Sequence, residues 1–162
     1  MLTAAFWNEN VRDNSNELYN TTRRIGFQQR TTSYTTTTTA APGAANIFGT
    51  SISWTADGTS AYLLEAYAPA INTATNAGSF VVVSFTNNAG TSIAQIATSG
   101  FGDGTRSHYV GLFARYWYTP SAGTATLNLR AYHGTAAGSI DAGNAGAAQA
   151  PMYIAVYGPA LT

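Results

Sequence analysis

Residues 107–133 constrain the fold of this chain more than any other stretch. They read SHYVGLFARYWY, then TPSAG, then TATLNLRAYH. The first run sets His108, Val110, Leu112, Ala114 and Tyr116 against Tyr109, Gly111, Phe113, Arg115 and Trp117. The second sets Ala125, Leu127, Leu129 and Ala131 against Thr124, Thr126, Asn128, Arg130 and Tyr132. A period of two with aromatic and β-branched enrichment is a strand signature. Thr119–Gly123 between them is turn chemistry: proline fixes φ on entry and glycine accepts a positive φ on exit. The pattern predicts an antiparallel hairpin of two long strands. The second strand has one apolar and one polar face, whereas the first has aromatics on both. One face carrying Tyr109, Phe113 and Trp117 is therefore expected to cover something other than the domain's own core.

Composition narrows the function classes. A chain of 162 residues is one domain, or one domain with an appendage. It holds no cysteine, so disulfide and zinc-thiolate frameworks are excluded. Its positive charge is all arginine, its net charge is zero, and only 9% of its residues are charged, which leaves no basic footprint for nucleic acid. No apolar run is long enough to span a bilayer, so no membrane insertion is expected. The N-terminus lacks a basic region followed by an apolar one, and no secretory leader is expected.

Taken in order, the chain opens with its one good helix candidate, residues 3 to about 20. Thr3 can cap it. Trp7, Val11, Asn14 and Leu18 recur at spacings of four, three and four, which is a coiled-coil seam. A short, asparagine-rich helix is marginal alone and needs a partner, either copies of itself, another protein or its own domain. Residues 1–22 are thus read as an anchor and oligomerisation segment, and 23–162 as the folded body. Strands are expected at 25–30, along the threonine-rich run 31–39 as an extended edge, at 47–54, at 61–68 with Pro69 as the stop, at 79–86, at 92–98 and at 152–157. Asn87–Gly90 is a hairpin turn, and 134–150 is a long connection. Residues 79–86 (SFVVVSFT) are apolar on both faces and so central. Eight or nine short strands with turns between them make an antiparallel β-sandwich.

Catalytic chemistry is thin. Asp57, Asp103 and Asp141 sit in glycine-rich turns and have ordinary turn roles. The Gly102-Asp103-Gly104 stretch lacks the further acidic ligands of a calcium site. His108 and His133, at the ends of the expected hairpin, read as solvent-facing, with a shared ligand as the sharper alternative. Glu65 lies between Leu63 and Tyr67 on one strand face, and a carboxylate there needs a partner if it is buried. Arg115 or Arg130 can supply it, giving a structural or inter-subunit pair. No paired carboxylates of a glycosidase are present. The sequence predicts no enzyme, no cofactor and no metal site.

Three stretches together resemble one family. Leu2 to Asn14 (LTAAFWNENVRDN) is similar to the N-terminal motif LTAAxWNxNVRDN of small structural proteins of tailed bacteriophages, actinobacteriophage type. Thr119–Gly123 with the following Ala125–Tyr132 resembles their PSAG hairpin, and Ala150–Pro159 resembles their closing strand. The resemblance implies a virion component: a minor tail protein, tail fibre or tip, or a capsid decoration. It also implies a jelly-roll head of the tumour-necrosis-factor type, usually homotrimeric. With the residue reading, this gives an all-β, jelly-roll-like sandwich with a short N-terminal α-helix, located on the virion surface. Its expected partners are copies of itself and other virion proteins met through the helix. The candidate trimer contacts are Tyr67, Tyr109, Phe113, Trp117, Tyr132, Tyr153 and Tyr157. The alternative is a carbohydrate-binding module whose same aromatics stack on a host cell-surface glycan.

Overall fold

The computed structural model describes residues 23–42, 45–142 and 150–159. The expected helix, with Trp7, Val11, Asn14 and Leu18, lies outside the described residues. The described body is an antiparallel β-sandwich of ten strands. They are β1 (Arg24–Arg30), β2 (Tyr34–Thr35), β3 (Ile52–Ala56), β4 (Tyr62–Asn72), β5 (Val81–Thr86), β6 (Ser92–Thr98), β7 (Tyr109–Tyr118), β8 (Gly123–His133), β9 (Ser139–Asp141) and β10 (Met152–Pro159). One sheet runs β1-β10-β4-β9-β2, with β7 paired along the far side of β4; the other runs β3-β8-β5-β6.

The organising hairpin is corrected. β7 and β8 are consecutive and antiparallel in direction, but they do not pair with each other. β7 pairs with β4 in one sheet, whereas β8 pairs with β3 and β5 in the other. The reason lies in their apolar faces. Leu112 of β7 and Ala125, Leu127, Leu129 and Ala131 of β8 are all buried in one core, which they approach from opposite sides. Thr119–Gly123 is thus an arch between layers, and Gly123 leaves it at φ 112°.

The core sits between the sheets. Leu64, Ala66 and Ala68 of β4 and Met152, Ile154 and Val156 of β10 face Val81, Val83 and Phe85 of β5 and Leu127 and Leu129 of β8; all are fully buried. As the sequence predicts, β5 is central and buried along its whole length. Pro69 does not stop β4. The ladder to β7 shifts register between Ala68 and Ile71, and this bulge absorbs a proline that a regular ladder would reject. It also moves the inward phase from Ala68 to Ile71, so both are buried. Two expected strands shrink. Residues 47–54 become β3 at 52–56, because Ile47 is held by a single bond from its N–H to the Leu129 carbonyl (2.9 Å). The threonine run keeps only Tyr34–Thr35. Thr36 turns instead to bond Gly138 and His133, and the Thr38 carbonyl accepts from the His133 N–H.

Candidate functional site

The outer face of β1-β10-β4-β7 is built by register. Antiparallel partners point to the same side, so the ladders assemble rows of side chains across four strands. One row is Gln29, Tyr153, Tyr67 and Phe113; the next is Phe27, Ala155, Glu65 and Arg115; a third sets Tyr157 and Leu63 beside Trp117. Five of the seven aromatics expected at contacts, Tyr67, Phe113, Trp117, Tyr153 and Tyr157, thus share one face. Tyr109 stands at the end of the same strand with the same parity. Tyr132 does not join them. It lies on β8 in the other sheet, edge-on to Phe80 at 6.1 Å.

The middle of the face is polar and closed. Ala155 is small, and the tyrosines on either side of it on β10 lean over Glu65, which is only 3% exposed. Its Oε2 accepts from Arg115 Nε at 2.7 Å, and its Oε1 accepts from the Tyr153 hydroxyl at 3.0 Å and the Tyr157 hydroxyl at 3.3 Å. Arg115, not Arg130, is the partner, and the pair lies within one subunit. Burial and then the hydrogen bond to the Glu65 carboxylate push the Tyr153 phenol up to about 12; burial and the same negative charge raise Tyr157. Around this centre the rings continue. Tyr67 stacks on Tyr153 at 5.5 Å and 24°, Phe27 lies 5.6 Å from Tyr153, and the Arg24 guanidinium sits 4.3 Å over Phe27.

Towards β7 the surface opens. Tyr109 is 66% exposed, Phe113 60%, Trp117 55% and Tyr116 40%. Tyr116 and Val110 have the parity of core residues, yet both are exposed. Alternation in the sequence assigns them inward; only the sheet arrangement shows that the opposite layer does not cover them. Phe27 and Arg24 also belong to the site. The signal for Phe27 was the alternation in Ile25–Arg30, too short to choose a face; Arg24 fell just before that expected strand. Phe101, 62% exposed, is a second solvent-facing ring next to Phe80, away from this face.

The other described carboxylates are held by local hydrogen bonds. Asp57 accepts bonds from the Ser60 hydroxyl and N–H and from the Thr59 N–H, which hold its carboxyl well below the usual range. Asp103 is held low by the backbone N–H groups of Thr105 and Arg106. Both are turn caps. His133 contacts Thr36 Oγ1 at 2.9 Å, and no cluster of three acidic or imidazole groups occurs among the described residues. A groove of about 360 Å³ between the β7–β8 arch and the Asn87–Gly90 turn is lined by amides, hydroxyls, Tyr118 and Pro120.

No protein-family model matches the sequence, and no curated protein does. Among solved structures, a carbohydrate binding module (CBM6cm-2) from Cellvibrio mixtus lichenase 5A, in complex with cellotriose, matches at 17% identity over 83% of this chain and 97% of that one. The TM-score is 0.32. A likeness that distant bears on neither the topology nor the function of this chain.

Proposed function

We propose that this protein is a non-enzymatic structural protein of a tailed-phage virion. Its jelly-roll-like head of the tumour-necrosis-factor type works as a homotrimer displayed on the particle, as a tail fibre, tip or capsid decoration. Residues 1–22 attach it to other virion proteins. The observation that carries the assembly reading is the outer sheet face, where large rings stand open on a surface whose own buried charge is already satisfied. Isolated exposed apolar residues are ordinary, but a contiguous patch of them marks a contact. A threefold axis against this face would cover Tyr109, Phe113 and Trp117 together with Phe27. The virion location rests on the N-terminal, PSAG and closing-strand motifs.

A second reading is favoured by one feature. The nearly parallel Tyr67 and Tyr153 rings, with arginine donors beside them, also suit the flat apolar face of a sugar on a host glycan. Sedimentation at micromolar concentration, paired with titration of host-envelope polysaccharide, separates the two. Self-association with three copies around an axis and no saturable glycan binding is expected. A monomer that binds polysaccharide through Tyr67 and Tyr153 would replace assembly with recognition.

A further inference from the structure

We infer that β7 is an assembly edge, and that its occupant is β7 of a second copy, paired antiparallel so that two sheets become one. This rests on the self-association reading but uses the strand's edge, not the sheet's outer face. β7 is ten residues long and hydrogen-bonds β4 on one side; no strand pairs its other side among the described residues. Such an edge is a template for another strand, and proteins normally blunt it. Every other edge here is blunted. β1 has arginines at both ends, β2 has two residues, β3 has five, and β6 carries two register shifts against β5. β7 has no proline and one charge, Arg115, which is ion-paired with Glu65 at 2.7 Å.

The strand is also self-complementary. Pairing about Ala114 keeps like faces together. On the core side it sets Leu112 opposite Tyr116, and Val110 opposite Tyr118. On the outer side it sets Phe113 opposite Arg115, a cation–π pair, and Gly111 opposite Trp117. Nothing among the described residues requires a glycine at 111. Its φ is not positive, and an added Cβ would meet nothing nearer than the Pro69 carbonyl at 3.7 Å. A glycine inside a strand marks close approach by another group, and an aromatic packed across it restores the lost cover. Centring on Arg115 instead would oppose two guanidinium groups, and centring on Phe113 would spend Arg115 on glycine.

Because the chain has no cysteine, Ala114→Cys supplies a single thiol. Directly opposed Cα atoms lie about 4.5–5.5 Å apart, inside disulfide range. Mild oxidation of the full chain is expected to give mostly covalent dimer on a non-reducing gel. Tyr109→Cys, whose two copies would lie roughly 30 Å apart, is expected to stay single. Phe113→Lys, which opposes Arg115 of the partner subunit, should halve the solution mass at unchanged circular dichroism, whereas Phe113→Glu should keep it. Two or six copies per particle support the pairing, six if the threefold contact also forms. Particles of one or three copies, or cross-linking no better at Ala114→Cys than at Tyr109→Cys, overturn it. Three copies would do so while leaving the threefold reading standing; two would do the reverse.

Discussion

Glu65 shows how a single residue sets the character of a face. Its carboxylate is buried on the outward side of a sheet, which is tolerable only because three donors converge on it. Removing one donor and removing the acceptor are therefore different experiments. Glu65→Ala strands two half-buried phenols and Arg115 together and should cost about 2–4 kcal/mol in urea unfolding. Arg115→Leu leaves a buried carboxylate with two phenol donors but no counter-charge, and should cost at least as much. The phenols also predict an alkaline limit. Tyr153 is raised to about 12 from its ordinary 10.0, and Tyr157 and Tyr62 are raised too. The unfolded chain loses these protons first. Their stabilisation is fully present below about pH 10 and is lost as pH rises towards 12. The urea midpoint should hold from pH 8 to 9.5 and fall steeply above it, and Tyr153→Phe should flatten that fall.

At the scale of elements, the arch between β7 and β8 decides the architecture. It must carry the chain from one layer to the other within five residues, against the turn that follows β3. Gly58 in that turn has φ 86°, and a Cβ there would lie 2.9 Å from the Ala122 nitrogen of the arch. The left-handed backbone alone costs a residue with a side chain about 1–2 kcal/mol, and the collision adds to it. Gly58→Ala should lower the melting temperature by at least about 2–8 °C. Gly49, also at positive φ (78°) but with open space around it, should respond less. The bulge at Pro69 is a similar device, since it lets one strand serve β10 at one end and β9 at the other while β7 runs along its opposite side.

For the whole molecule, the core and the contact surface are separable. Every buried apolar side chain of the described core lies between Ile47 and Val156. A chain beginning at Arg23 is expected to melt within a degree or two of the full protein, yet to lose binding to virions that lack it; normal binding by the shortened chain would move the anchor into the sandwich. Trp117 illustrates the same division. From the sequence alone, Trp117→Ala is expected to unfold or monomerise the protein. At 55% exposure it should change stability by about 0.5 kcal/mol or less, while weakening self-association measurably by sedimentation.

The sequence by itself determined the all-β class, the central place of a strand within residues 79–86, the turn at Asn87–Gly90 and the alternation that put Leu63, Glu65 and Tyr67 on one face. Each follows from chain-local physics: strand periodicity, turn chemistry and the need of a carboxylate for a partner. It also left two arginines for Glu65, two parities for β7 and one plausible hairpin. Only the tertiary structure decided these, because they depend on which strands are neighbours across the sheet. Pairing β7 with β4 set Arg115 beside Glu65 and gathered aromatics from distant stretches into rows. It also gave β8 to the opposite layer, which left Tyr132 behind and the edge of β7 without a paired strand among the described residues. Periodicity is a property of one strand, whereas an exposed edge is a property of the sheet, and no window along the chain contains it.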